Sequence, residues 1–214
     1  MYVHCKYVKE NLPMNIGKVR THFKSVDPII YPIIKTINFS DKIQPRQPSQ
    51  YFTSLCSEII SQQLSGKAAD AIEKKFINIF PKKHITPEAI LKFSDQELRD
   101  VGMSWAKVKY IKNLSEKVLS GTLNLRTIQY ASDQEVINIL TQVKGIGQWT
   151  AEMFLIFTLG REDVFSHGDL GLRKAIKNLY KVEAPNEIIA IVDKWSPYKT
   201  YGSLALWHSL DNRP

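Results

Sequence analysis

The sequence predicts an all-α protein, and three observations carry that prediction. Apolar residues recur at spacings of three and four, the signature of one buried face on a helix of 3.6 residues per turn. Ser or Thr stands directly before several of these stripes, where a hydroxyl caps a helix. No apolar–polar alternation of convincing strand length occurs.

Residues 1–48 are mixed and basic, and Pro45-Arg-Gln-Pro48 reads as a linker. Ser49 is the expected N-cap of a helix whose buried face is Phe52, Leu55, Cys56, Ile59 and Ile60. That stripe stops at Ser61-Gln-Gln-Leu-Ser65, and Ser65 caps a second stripe of Ala68, Ala69, Ile72, Phe76 and Ile79. Gln62 to Leu64 therefore fall at a helix–helix corner, where a side chain can stand clear of the core. Pro81-Lys-Lys-His84 is a connector, and Thr86-Pro87-Glu88 opens a short helix with Pro in its first turn. Ser94-Asp-Gln-Glu97 and Ser132-Asp-Gln-Glu135 both fit a capping box, with Glu three residues after the capping Ser. Each leads into a helix, a Gly-containing turn and a further helix; the turns are Val101-Gly-Met-Ser-Trp105 and Val143-Lys-Gly-Ile-Gly147. Four identical residues do not make an internal repeat. A last clear helix runs from Asp169 to Tyr180.

A chain of 214 residues holds one or two compact domains. Its 43% hydrophobic and 23% charged residues are ordinary for a globular protein and exclude a fibre or a disordered tail. The longest apolar run, Met153 to Leu159, is far short of the ~20 residues that span a bilayer, so no membrane partner is expected. The start, Met1-Tyr-Val-His-Cys-Lys, lacks the basic-then-apolar layout of a secretory leader. Two cysteines, Cys5 and Cys56, exclude a disulfide framework and a four-cysteine metal site within the chain. These features together predict an intracellular protein with reduced thiols. The five histidines show no ligand spacing, and neither a P-loop nor a Ser–His–Asp pattern is present. The net charge of +8 is concentrated in the first 130 residues, and residues 131–214 are close to neutral. Such an excess favours a polyanion, although charge taken alone is better accounted for by a solvated surface.

Leu140-Thr-Gln-Val-Lys-Gly-Ile-Gly-Gln-Trp-Thr-Ala151 is the most informative stretch. Two glycines flank an apolar residue between two helices, so the backbone can take positive φ and no side chain keeps a polyanion away. The amides of Gly145 and Gly147, with the start of the next helix, are placed to meet a phosphate oxygen. A dinucleotide fingerprint would need a preceding strand, and here the lead-in is helical. A plain tight turn remains the alternative for a Gly-x-Gly read alone.

Read with Val164-Phe-Ser-His-Gly-Asp-Leu-Gly-Leu-Arg173, the segment Val143-Lys-Gly-Ile-Gly-Gln-Trp-Thr-Ala-Glu152 closely resembles the helix-hairpin-helix DNA glycosylase superfamily, in its 3-methyladenine DNA glycosylase II branch. The resemblance extends to Ile59-Ile-Ser-Gln-Gln-Leu-Ser-Gly-Lys-Ala-Ala69, to Val101 through Tyr110 and to Pro197 through Trp207, covering roughly residues 48–210. It implies a two-lobed fold with the active site in the interlobe cleft: a central lobe of residues 49–160 ending in the hairpin, and a second lobe of 1–48 with 161–214. It implies excision of alkylated purines flipped from double-stranded DNA, by a monomer in the bacterial nucleoid or the eukaryotic nucleus.

The resemblance also assigns roles. Asp169 is the anion expected beside the sugar, where breaking the bond from C1′ to a purine nitrogen builds positive charge. Read without the family, Asp169 is a helix N-cap, and the two roles are compatible. His167-Gly168 stands where relatives often have proline or a second acid. Bifunctional members carry a nucleophilic lysine two residues after the second hairpin glycine; here that place is Trp149, and Lys144 lies across the turn. Hydrolysis by water without strand cleavage is therefore expected. Trp149 and Trp207, then Trp105 and Tyr198, are the expected walls of the base pocket, whereas Trp195 is assigned to the core. Gln63 or Leu64 would fill the gap left in the duplex: Leu64 on apolar grounds, Gln63 on register. Gly145, Ile146, Gly147, Thr150, Ser65, Lys67 and Lys107 complete the expected DNA contacts, with Lys109 a further lysine that could meet phosphate. No cofactor is expected beyond a sodium or potassium ion on the main-chain carbonyls of Val143 and Gly145. The alternatives are a non-catalytic hairpin module that grips DNA for a partner, and a glycosylase for oxidised or deaminated bases.

Overall fold

The computed structural model of the chain describes residues 15–211, so the start read for a leader, with His4 and Cys5, lies outside the described residues. Among the described residues there are twelve α-helices and no strand, as the periodicity predicts. They are α1 (Ile16–Val26), α2 (Tyr31–Thr36), α3 (Tyr51–Ser61), α4 (Gly66–Asn78), α5 (Pro87–Lys92), α6 (Asp95–Asp100), α7 (Trp105–Leu119), α8 (Asp133–Leu140), α9 (Gln148–Met153), α10 (Leu170–Tyr180), α11 (Pro185–Val192) and α12 (Lys199–Asp211). None of them is long and apolar enough to cross a membrane.

The chain divides into two compact units. One is Ile43–Gly168; the other joins the described residues up to Lys42 with those from Asp169 onward. The expected linker at Pro45–Pro48 is part of the first unit instead. Ile43 is buried, the Arg46 amide donates to the Thr158 carbonyl at 2.9 Å, and the Pro45 ring lies against Gly160.

In the unit of residues 43–168, α3 buries Phe52, Leu55, Cys56, Ile59 and Ile60, the stripe read from the sequence. Ser49 does not cap it, because residues 48–50 form a 3-10 turn whose entry is fixed by Gln50 Oε1 accepting the Gln47 amide at 3.0 Å. Both serine capping boxes form. Glu97 accepts the Ser94 amide and Glu135 the Ser132 amide, each at 2.7 Å, while each serine hydroxyl accepts from its glutamate's amide. Thr86 caps α5 through the Ala89 amide at 3.2 Å. Ser65 takes the N-cap position of α4 with extended backbone, but its hydroxyl makes no capping bond. α3 packs on α4, α7 and α9, and α5 and α6 pack on α7. After α9 the backbone widens into one π-helical turn, Phe154–Thr158, before the chain leaves the unit.

In the other unit α10 pairs with α12, and α2 packs on both α12 and α1. Asp27, buried, ties three segments together. Its Oδ1 accepts the amides of Ile29 and Ile30 at 3.1 and 3.2 Å, and its Oδ2 accepts the Trp195 indole and the Tyr180 hydroxyl at 2.7 and 2.8 Å. Burial, then the charge of Asp27, pushes the Tyr180 phenol far above its ordinary range, so it stays a donor. Trp195 is fully buried, as assigned.

Glu58 on α3 is half-buried, and burial, reinforced by the nearby Glu73 carboxylate, raises its pKa from 4.5 to about 7. A carboxyl that holds its proton in the folded state favours folding below its unfolded value, and that advantage is lost as pH rises through the folded value. Glu58→Gln is therefore expected to stabilise the protein at pH 8 by up to ~2 kcal/mol and to change little near pH 4.5. Thermal melts at the two pH values check this, and equal shifts at both would contradict it.

Candidate active site

The hairpin is built from α8, the turn after it and α9, all in the unit of residues 43–168. Gly145 has φ +86°, and a Cβ there would stand 2.1 Å from Tyr110 Cδ2, so the turn closes only with glycine at this point. Gly147 differs. It is the N-cap of α9 with extended backbone, and nothing lies within 4 Å of where its Cβ would be. Its missing side chain leaves room on the outside rather than relieving a contact within.

Gln62, which the sequence reading passed over for its neighbours, joins this hairpin to the α3–α4 corner. Its Nε2 donates to the Gly145 carbonyl at 2.8 Å and to the Thr150 hydroxyl at 3.1 Å. The α3 stripe at Ile59 carries on to 62 or 63, so helix register could have assigned one of the two glutamines inward. The next two residues point out: Gln63 is exposed with φ +57°, and Leu64 is 37% exposed. Ser65 and Lys67 are also exposed beside them.

Three of the residues expected at DNA turn their side chains inward. Ile146 is buried and its amide donates to the Val143 carbonyl at 3.0 Å, so its side chain belongs to the core. Thr150 is buried with its hydroxyl held by Gln62. Lys107 is turned inward, donating to the carbonyls of Ile60 and Gln62 at 2.8 Å each, and partial burial lowers its pKa. It satisfies carbonyls at the end of α3 that the helix leaves without partners. Lys109 is exposed. The carbonyls expected to hold a cation already accept protein donors: Gly145 from Gln62, and Val143 from Ile146. Each of these oxygens keeps a second lone pair beside the hydrogen bond it accepts.

Of the aromatic candidates, Trp149 sits in the first turn of α9 and is 40% exposed. Trp105 opens α7 and is exposed, but the Arg99 guanidinium lies over its ring at 4.9 Å, so one face is covered. Tyr198 packs edge-on against His22 and Tyr201. It lines a shallow cavity of about 630 Å³ with Asn15, Lys18, Thr21 and Pro197. Nine residues separate it from Trp207 along α12, about 13 Å of helix, so it does not join Trp207.

Trp207 is the aromatic that meets the acid. Asp169 is the N-cap of α10, and its Oδ1 accepts the Leu172 amide at 2.7 Å and the Trp207 indole N–H at 3.2 Å. The residue is 8% exposed. The positive end of the α10 dipole favours negative charge here. Gly171, in the first turn of α10, lies against this pair, and a side chain on it would crowd the carboxylate rather than the indole. A Cβ on it would lie 3.0 Å from Asp169 Oδ1 and 3.4 Å from the Trp207 ring. His167 is exposed and stacks edge-on against Phe165 at 4.9 Å. In the same segment Ser166, fully buried, donates to Glu152 Oε2 at 2.5 Å. Gln148 donates to the other oxygen of Glu152 at 2.9 Å. Neither Ser166 nor Glu152 carried a signal in the sequence beyond the motif around it. Gly171→Ala is expected to shift the indole N–H resonance of Trp207 in an NMR spectrum while stability to urea changes by less than ~1 kcal/mol. An unmoved resonance would show that the indole does not depend on this gap.

Comparison with known proteins places these features in a family. Residues 56–197 match the model of the HhH-GPD superfamily base excision DNA repair proteins. DNA-3-methyladenine glycosylase 1 of Schizosaccharomyces pombe is 30% identical over 93% of this chain and 90% of its own length. DNA-3-methyladenine glycosylase of Saccharomyces cerevisiae is 33% identical over 72% of this chain, which spans 56% of that longer protein. The solved structure of the S. pombe 3-methyladenine DNA glycosylase in complex with abasic DNA superposes with a TM-score of 0.80 at 29% identity, covering 91% of this chain and 97% of that one. With its hairpin closed on Gly145 and its capping Asp169 in the matched region, the chain belongs to the HhH-GPD superfamily of base excision DNA repair proteins.

Proposed function

We propose that the protein is a monofunctional DNA glycosylase of base excision repair that hydrolyses the glycosidic bond of alkylated purines in double-stranded DNA and leaves an abasic site. The observation that carries this reading is the Asp169 carboxylate, held at the start of α10 by the Leu172 amide and the Trp207 indole. Supporting it, the relatives above are named for 3-methyladenine, and the matched S. pombe structure contains abasic DNA.

In this reading the backbone at Gly145–Gly147, open on the Gly147 side, grips a phosphate, and Leu64 at the exposed corner fills the stack behind the extruded nucleotide. The C1′–N bond breaks with its electron pair going to the base, which leaves neutral because alkylation had made it cationic. The Asp169 carboxylate stabilises the sugar cation, water adds its oxygen to C1′, and the released proton passes to the carboxylate. The alkylated base is held against the exposed Trp149 indole, with a cation–π attraction of ~0.5–2 kcal/mol. No amine stands at position 149 to attack C1′, so the strand is left uncut.

Alkylated duplex DNA incubated with the protein should release 3-methyladenine or 7-methylguanine and retain intact strands until alkali is added. Asp169→Asn should lower the single-turnover rate at least about 100-fold with duplex affinity within about threefold. Equal release by both proteins would remove Asp169 from the reaction, and strands cut without alkali would contradict the monofunctional reading.

A further inference from the structure

Glu152 is a buried carboxylate that pairs with no cation among the described residues. It is 5% exposed, and its partners are both neutral: the Gln148 amide on one oxygen and the Ser166 hydroxyl on the other. No Lys, Arg or His among the described residues forms an ion pair with it. A carboxylate taken out of water without a counter-charge is costly, and hydrogen bonds from neutral groups offset only part of that cost. A cation arriving from outside would supply the missing counter-charge.

The helix shows where that cation would bind. Glu152 is three residues after Trp149 on α9, so the two side chains are neighbours on one stretch of helix surface, one buried and the other 40% exposed. A flat cation on the Trp149 indole would sit within reach of the Glu152 field, and the low dielectric around a buried charge leaves that field poorly screened. A neutral base of the same shape would gain the stacking but not the Coulomb attraction. Gln148 and Ser166 hold the carboxylate in place without neutralising it, which an arginine or lysine partner would do.

From this we infer that Glu152 is a specificity-determining residue: its uncompensated charge, three residues from Trp149 on α9, selects cationic, N-alkylated bases over neutral ones. This deepens the functional reading above and rests on it.

The test compares wild type, Glu152→Gln and Ser166→Ala on two duplexes, one containing cationic 3-methyladenine and one its neutral, non-hydrolysable 3-deaza isostere. Single-turnover release is measured on the first and the dissociation constant on the second, with thermal melts confirming that each variant is folded. Glu152→Gln should lower 3-methyladenine release about tenfold and leave affinity for the neutral duplex within about twofold. Ser166→Ala, which keeps the charge and removes a hydrogen bond, should retain most of the preference; should Glu152→Gln not fold, Glu152→Met is read in its place. Parallel losses on both duplexes would make Glu152 merely structural and overturn the inference, as would undiminished release by Glu152→Gln or a preference lost equally in Ser166→Ala. Wild type that binds the duplexes but releases no 3-methyladenine would overturn the functional reading and this inference together, an outcome separate from a wild type that releases the base with an unchanged preference in the variants.

Discussion

A carboxylate that has lost most of its contact with water persists as a charge only where donors face it, and Asp169 meets that condition with two N–H groups on a single oxygen. Much else in its unit follows from this requirement. The Leu172 amide is available because α10 begins there and its first amides have no partner within the helix. The Trp207 indole arrives because α12 packs along α10, and the missing side chain at residue 171 leaves the carboxylate uncrowded. Asp27 applies the same chemistry at a second place, where two amides, an indole and a phenol surround one buried carboxylate. There the result is a staple between segments far apart in sequence. At Asp169 it is an anion seated at a helix end.

The hairpin unit divides its polar groups between inside and outside. Gln62 braces the Gly145 carbonyl and Thr150, and Lys107 braces the end of α3, so the groups that hold the corner to the hairpin are spent internally. Facing out are an open Gly147, the Gln63–Leu64 tip and the Trp149 indole. The arrangement suits a surface that must keep its shape while a polyanion settles against it. It also explains why a lysine in a strongly basic chain does structural work: a helix terminus pointing at a functional corner leaves carbonyls that need a donor, and Lys107 is within reach.

Local rules were readable in the residues. The α3 stripe, the two Ser–Glu boxes, the Thr86 cap and the Asp169 cap each depend on neighbours three or four residues apart, and each forms, whereas the stripe of α4 buries only Ala69 and Phe76. What escaped depends on contacts across long stretches of chain. Ser49 yields its capping role to a 3-10 turn, and Pro45–Pro48 docks on the end of the π-helical turn instead of linking two bodies. Ile146 and Thr150 sit inside a motif that reads as an outward-facing loop, yet an apolar residue between two glycines has to go somewhere, and here it goes into the core. Gly171, Gln62 and Glu152 gain meaning only from Trp207, Gly145 and Ser166, partners that no local pattern announces.

Binding without turnover shows whether the Asp169 charge faces a cationic sugar. Duplexes carrying a protonated pyrrolidine ring or a neutral tetrahydrofuran ring in place of the damaged nucleoside differ in little but that charge. Wild type should bind the cationic ring at least about tenfold more tightly than the neutral one, and Asp169→Asn should reduce that preference to less than about threefold. An undiminished preference in Asp169→Asn would contradict the account, because the charge that meets the sugar would then lie elsewhere.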